Sequence, residues 1–273
     1  MTIELRIDDA IVTAEQGDTI RDVAARHGVE IPTLCWAANL TPVNVCRLCV
    51  VEVEGSRPLV PACSRPVEAD MVVSTNSDRV RTSRRMVLEL LASSVDLDRA
   101  EPELLDQIEE YGARPERFAA GATKHAPVKQ QDELYVRDYQ RCVLCYKCVE
   151  ACGDDAQHTF AISVAGRGFD AHISTEFDTA LPDSACVYCG NCIAVCPTGA
   201  LTPLTEFVRR EAGEWRPDQQ SVTRTVCAFC GVGCNLDLHV QDGEVVKVTS
   251  PADHDITQGN LCIKGRFGWQ HLR

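Results

Sequence analysis

Sixteen of the 273 residues are cysteine, and they divide into four groups of four with none left over. The first group is Cys35, Cys46, Cys49 and Cys63, spaced C-x10-C-x2-C-x13-C. The second is Cys142, Cys145, Cys148 and Cys152, and the third is Cys186, Cys189, Cys192 and Cys196; both are spaced C-x2-C-x2-C-x3-C. The fourth is Cys227, Cys230, Cys234 and Cys262, spaced C-x2-C-x3-C-x27-C. Sixteen in 273 is about 6%, below the roughly 8–10% of a small disulfide scaffold. The N-terminus, MTIELRIDD, has no basic or apolar leader region, so the expected compartment is the cytoplasm, where thiols stay reduced. Metal is then the expected use of the cysteines.

The run shared by the second and third groups, with Pro197 after the third, resembles the one that holds 4Fe-4S clusters in two-cluster bacterial ferredoxins. In that run three closely spaced cysteines cap three corners of one cube, and the fourth ligates the other cube. The resemblance implies one cluster on Cys142, Cys145, Cys148 and Cys196, and another on Cys186, Cys189, Cys192 and Cys152. Gly153 stands where the pattern has proline, which is expected to loosen the loop without removing a ligand. Paired zinc sites are the alternative, but they normally use C-x2-C pairs far apart.

The first group lies in a β-rich stretch. Ile3 to Ile7 and Ala10 to Ala14 alternate apolar and polar residues about an Asp8-Asp9 turn. Thr19, with Asp22 three residues later, predicts a capped helix that stops at Gly28. Val50 to Val53 and Met71 to Val73 read as further strands. This order suits a β-grasp, plant-type ferredoxin fold with a 2Fe-2S cluster on Cys35, Cys46, Cys49 and Cys63. The spacing is not that of plant ferredoxins. It resembles the N-terminal domain of the large iron–sulfur subunit of respiratory complex I. A structural zinc site is the alternative.

The fourth group, in VCAFCGVGCNLDLHVQDGEVVKV and LCIKGRFGW, resembles the N-terminal cluster domain of molybdopterin oxidoreductases. Gly231 and Gly233 let backbone wrap closely around a cluster. Leu236 to Val240 and Val245 to Val248 flank Asp242-Gly243, a type I′ hairpin signal. The resemblance gives Lys264 the place of the family's lysine between cluster and pterin; the plain alternative is a solvated lysine. Zinc is again the alternative for the quartet.

Between the cysteines, residues 78–92 predict a helix with Val80, Val87, Leu88 and Leu91 on one face and Arg79, Arg81, Arg84 and Arg85 in its first half. Asp96 to Glu110 is acidic, with Leu104, Leu105 and Ile108 as an apolar stripe. Two solvated helix faces, paired with each other, are expected; a docking surface for a partner subunit is the alternative. Residues 112–131 read as a linker wrapped over the surface. The seven histidines form no pair at metal spacing. Complex I relatives insert a further cluster with one histidine and three cysteines. No cysteine lies between Cys63 and Cys142 to build it. The expected fold class is α+β: a 2Fe-2S ferredoxin-like domain (1–77), a helical linker region (78–135), a two-cluster ferredoxin-like domain (136–212) and a small β-rich 4Fe-4S domain of molybdopterin-oxidoreductase type (220–273).

Taken in order, the four groups resemble the N-terminal part of the alpha subunit of NAD-dependent molybdenum- or tungsten-containing formate dehydrogenase. The runs RCVLCYKCVEAC, CVYCGNCIAVCPTGAL and TVCAFCGVGCNLDLHV carry the likeness. It implies a wire of one 2Fe-2S and three 4Fe-4S clusters. The wire would join a molybdenum- or tungsten-pterin catalytic subunit to an NADH- and FMN-binding flavin subunit, with a further 2Fe-2S subunit beside it. The pterin site belongs to the family's continuation, so no complete active site is expected within these residues. A net charge of −13 speaks against a nucleic-acid partner. No apolar run approaches the roughly 18 residues of a membrane span. Two other classes remain open. One is a diaphorase-side subunit of an NAD-linked or electron-bifurcating hydrogenase, against which the CGVGC…CIKG run speaks. The other is a non-enzymatic protein that docks or matures a molybdoenzyme.

Overall fold

The computed structural model describes residues 2–272, which form two compact units. The first runs to Trp36 and from Pro42 to Lys124; the second holds Ala37–Thr41 and the chain from His125 onward.

In the first unit β1 (Thr2–Ile7) and β2 (Ala10–Glu15) form an antiparallel hairpin. The period-two alternation turns Leu5, Ile7, Val12 and Ala14 inward. Helix α1 (Ile20–Arg26) follows, its first turn fixed by the Thr19 hydroxyl, which accepts from the Asp22 N–H at 3.2 Å. Strands β3 (Val50–Val53), β4 (Val60–Pro61) and β5 (Val72–Ser74) complete a five-stranded sheet of order β2-β1-β5-β3-β4. Only the β1–β5 pair is parallel. Ile20 and Val23 of α1 pack into one core with Val51, Val73, Cys49 and Cys63, so two of the first four thiols sit inside it.

Helix α2 (Asp78–Ser94) is capped by Ser77 and followed by α3 (Pro102–Glu110). The acidic face of α3 is solvated, with Glu103, Asp106, Glu109 and Glu110 exposed, but α2 departs from the expectation. Arg84 is 2% exposed and Glu89 is fully buried. Glu89 accepts from the Arg114 N–H at 3.2 Å and from Arg117 Nη1 at 2.6 Å, so the start of the segment after α3 covers α2. The apolar stripe of α3 keeps Leu104, buried, and Ile108, half-buried one turn on, while Leu105 is exposed. Arg81 of α2 reaches the Glu110 carbonyl at the end of α3.

In the second unit β6 (Tyr135–Arg137) precedes the second cysteine group and α4 (Lys147–Cys152) ends it. A hairpin of β7 (Ser163–Ala165) and β8 (His172–Ser174) separates it from α5 (Asn191–Ala194), inside the third group. Strand β9 (Leu201–Pro203) returns antiparallel to β6, and α4 packs on α5, so the two cysteine runs lie side by side. Helix α6 (Leu204–Glu211) leads to an antiparallel sheet of β10 (Ser221–Val226), β11 (Asn235–Gln241) and β12 (Glu244–Thr249). Asp242 and Gly243 both have positive φ, 55° and 82°, as a type I′ turn requires. The chain then forms α7 (Ile263–Phe267). Glu206 ties α6 to β12 through Lys247 at 3.0 Å. Among the described residues no helix is long and apolar enough to cross a membrane.

Candidate metal centres

The first group is built on a loop turned by left-handed backbone at Asn44 (φ 65°) and Arg47 (φ 59°). That turn aims the N–H groups of Asn44, Val45 and Cys46 at the Cys35 sulfur. The Leu48 N–H reaches Cys46 Sγ at 3.5 Å, and the Cys63 thiol donates to Asn44 Oδ1 at 3.3 Å. The Cys46 thiol donates to Cys35, and the one Cys63 proton is shared between Asn44 Oδ1 and the Cys49 sulfur; Cys63 also feels Cys35 and Cys46, so all four side chains converge. These donors outweigh burial and draw Cys35 down to about 5 and Cys49 to about 7. Cys46 and Cys63 rise as the proton-carrying partners. Thiolate is the form that binds metal, and the lowering at Cys35 and Cys49 favours that form.

The second and third groups exchange members. Cys142, Cys145 and Cys148 line one cavity together with Cys196. Cys186, Cys189 and Cys192 line another together with Cys152. The spaces are about 340 and 410 Å³, open mouths included. The rest of the lining is largely apolar or aromatic: Tyr139, Ile173 and Leu201 in the first, Tyr135, Ile162 and Leu181 in the second. Both loops use the same backbone device. Leu144 and Tyr146 in one, and Tyr188 and Gly190 in the other, have positive φ. A non-glycine residue there costs roughly 1–2 kcal/mol, and such strain gathers where a site needs it. It turns the N–H groups of Lys147, Tyr188 and Asn191 onto the sulfurs of Cys145, Cys186 and Cys189.

Burial pushes the Cys145 thiol up to about 12 and those of Cys148 and Cys192 well above the ordinary value. These cavities disfavour bare thiolates and suit a cationic core that neutralises them. The buried Tyr135 hydroxyl, on the wall of the second cavity, has no protein partner, and inorganic sulfide could accept from it. The donor set therefore fits iron–sulfur clusters. Among the described residues no three His, Cys, Asp or Glu side chains close around a single ion.

Gly153 does not loosen its loop. It ends α4, its N–H donates to the Val149 carbonyl at 2.8 Å, and a Cβ there would lie 3.1 Å from the Phe160 ring. A proline could not donate that bond.

The fourth group is the most open. Cys227 is buried, Cys234 half-buried, and Cys230 and Cys262 exposed. The Cys227 N–H donates to the Cys234 carbonyl at 2.7 Å, closing the loop. Burial raises the Cys234 thiol, and Cys227, Cys230 and Cys262 add to the shift, so the four lie within electrostatic range. Cys262 caps α7, and Lys264 is exposed in the next turn. Phe229 rests on bare backbone at Gly268, where a Cβ would fall 2.4 Å from the ring.

Two buried arginines stand apart from the sequence reading, which puts Arg84 on a solvated helix face and gives Arg266 no role. Arg84 donates to the Leu48 carbonyl at 3.1 Å and the Val50 carbonyl at 2.9 Å, one on each side of Cys49. Arg266 donates to the Cys189 carbonyl at 2.8 Å. Each reads locally as one more charged residue on a helix; only the partners distant in sequence distinguish it.

Comparison with known families matches each cysteine region in turn. The 2Fe-2S iron-sulfur cluster binding domain matches residues 1–78. The ferredoxin-like domain of NADH-quinone oxidoreductase subunit 3 matches residues 133–202, and the molybdopterin oxidoreductase Fe4S4 domain matches residues 220–273. This is an iron–sulfur electron-transfer chain. It is 34% identical over 273 residues to an NADH-quinone oxidoreductase subunit of Rhizobium meliloti, covering 97% of this chain and 31% of that one. It is 39% identical over 259 residues to the NADP-reducing hydrogenase subunit HndD of Solidesulfovibrio fructosivorans, covering 89% and 43%. A Staphylococcus haemolyticus protein provisionally described as a formate dehydrogenase is 25% identical over 306 residues, covering 97% and 31%. The chain thus spans a third to under half of the length of these relatives. A crystal structure of an NAD+-reducing nickel–iron hydrogenase in the H2-reduced state shares the fold, with a TM-score of 0.59 at 23% identity over 74% of this chain and 87% of that one.

Proposed function

We propose that this electron-transfer chain carries one 2Fe-2S and three 4Fe-4S clusters. It would relay electrons between a molybdenum- or tungsten-pterin formate dehydrogenase site and an NAD-linked flavin subunit, within the cytoplasm. The proposed ligands are Cys35, Cys46, Cys49 and Cys63; Cys142, Cys145, Cys148 and Cys196; Cys186, Cys189, Cys192 and Cys152; and Cys227, Cys230, Cys234 and Cys262. The proposed domains are 1–77, 136–212 and 220–273, with 78–135 as a helical region between the first two.

The observation that carries the reading is the exchange of Cys152 and Cys196 between the two runs, which sets two thiol-lined cavities side by side. Two adjacent centres suit passage of electrons from one to the next, which an isolated structural ion does not need. When bound, the clusters supply one-electron carriers whose potentials follow burial, charge and hydrogen bonds to sulfur. The chain's own residues set those terms. The cysteines hold iron, and the N–H groups of Lys147, Tyr188 and Asn191 donate to sulfur. Tyr135, Ile162 and Leu181 give the second cavity a largely apolar wall. Lys264, exposed two residues after Cys262, is proposed to stand between the fourth cluster and a pterin on the partner.

Full loading, with two irons in one cluster and four in each of the other three, is about 14 irons per chain. Iron analysis with reductive titration under electron paramagnetic resonance tests this directly, and four zincs with almost no iron would overturn it. Reduction of the clusters by NADH through the flavin subunit separates an electron carrier from a docking or maturation protein. A second reading, a hydrogenase-linked carrier, is favoured by the 39% identity to a hydrogenase subunit over 89% of the chain. The chains that copurify decide between them: a pterin-containing partner is expected, and a hydrogenase partner would replace the formate dehydrogenase assignment.

A further inference from the structure

Arg266 is only 4% exposed, yet among the described residues no carboxylate pairs with it. Its Nε donates to the Cys189 carbonyl at 2.8 Å, and its Nη2 donates to Asn191 Oδ1 at 3.2 Å. The same amide oxygen accepts from the Leu261 N–H at 3.0 Å, next to Cys262. Through its own backbone, Arg266 N donates to the Cys262 carbonyl at 3.0 Å. One side chain therefore ties the helix that starts at the last cysteine of the fourth group to the loop of the third.

The fit is close. Gly190, with φ of +73°, lies against the arginine stem, and a Cβ there would stand 2.1 Å from Arg266 Cδ. Asn191 is itself 3% exposed. A buried guanidinium held only by neutral oxygens is costly unless another negative charge lies close. The acidic groups facing it are Tyr135 and the cysteines Cys189, Cys192 and Cys262. Burial holds Tyr135 neutral, which leaves the cysteines. Two of them belong to the third run and one to the fourth.

Resting on the electron-transfer reading, we infer that Arg266 is a positioning and tuning residue shared by two neighbouring cluster sites. Its fixed positive charge makes electron arrival at the site of Cys152, Cys186, Cys189 and Cys192 more favourable. Each one-electron reduction adds one negative charge to a poorly solvated site. A cation already fixed at the Cys189 carbonyl offsets that charge without any proton moving. The same contact holds α7, and with it Cys262, in register with the third loop.

The test uses the full chain, isolated anaerobically with its clusters, and compares Arg266→Gln, Arg266→Lys and Asn191→Asp by paramagnetic-resonance potentiometry and iron analysis. Asn191→Asp leaves the arginine in place and sets a carboxylate against it, cancelling the field with little change in shape. In Arg266→Gln and Asn191→Asp one 4Fe-4S signal should become at least tenfold harder to reduce, 59 mV lower for a one-electron couple. The 2Fe-2S signal should keep its potential, and Arg266→Lys should recover most of the shift. Full iron with unmoved potentials in Asn191→Asp overturns the inference, even if Arg266→Gln fails to load. An equal shift in Arg266→Lys and Arg266→Gln overturns it too, because packing and not charge would then be at work. A wild-type chain without iron overturns the electron-transfer reading and this inference together; iron-loaded variants that titrate like wild type overturn only the role of Arg266.

Discussion

Cys196 and Cys145 line the same cavity although they belong to different cysteine runs. Cys196→Ser should therefore weaken the cluster on Cys142, Cys145 and Cys148 and spare the one on Cys186, Cys189 and Cys192. Cys152→Ser should do the reverse. Paramagnetic-resonance signals assigned by these two variants decide the matter. Loss of only the local cluster in either one would mean that each run keeps its own four ligands.

Arg84 supports the first cysteine loop from outside. Its guanidinium binds the Leu48 and Val50 carbonyls and the Tyr111 hydroxyl, the last at 2.8 Å. Arg84→Leu strips these buried acceptors of their donor, at roughly 1–3 kcal/mol for each group left unsatisfied. We expect roughly 2–4 kcal/mol of lost stability in this unit, together with faster bleaching of the 2Fe-2S chromophore. Arg84→Lys should recover only part, since an ammonium cannot reproduce the planar fork. Denaturant melts followed by visible absorbance read both effects.

Placing proline at position 153, to match the ferredoxin run, should harm the protein. Gly153→Pro removes the bond to the Val149 carbonyl and drives a ring towards Phe160. A loss of about 3 kcal/mol is expected, with weakened retention of the cluster that uses Cys152. Equal or greater thermal stability would show that the loop has slack that its contacts do not reveal.

Glu206 gives the second unit a pH dependence. Burial pushes its carboxyl up, but Lys247 and Arg210 outweigh that and hold it below the ordinary value. A carboxylate with a depressed folded pKa adds stability above the unfolded value of about 4.3, and that stability fades as the pH falls below it. Glu206→Gln should be less stable at neutral pH by about 3–5 kcal/mol, the usual cost of breaking a buried pair. It should also lose the acid-side slope that wild type has below about pH 4. Melts at neutral and acid pH compare the two directly.

Much of this chain can be read locally. The β1–β2 hairpin follows from alternation about Asp8-Asp9, and α1 from Thr19 and Asp22. The β11–β12 turn follows from Asp242-Gly243. Strand β10 escapes such reading because all six of its residues are exposed, so burial stamps no alternation on it. The left-handed turns at Leu144, Tyr146 and Tyr188 escape it because those residue types ordinarily avoid positive φ. Their matching places in two equal motifs were the available signal. Arg84 and Glu89 escape for another reason. Each is a common surface residue on an amphipathic helix. Partners far along the chain, Leu48 and Val50 for one and Arg114 and Arg117 for the other, make their burial tolerable.

The contact between Gly190 and Arg266 also binds two positions into a shared fate. The arginine stem occupies the volume that any side chain at 190 would claim, and no other residue type leaves that volume free. Drift at position 190 therefore has to await a shorter residue at 266. That shortening in turn strands the Asn191 amide and the Cys189 carbonyl. Among related chains the pair should change together or not at all, a covariation that sequence comparison alone can recover without a single measurement on the protein.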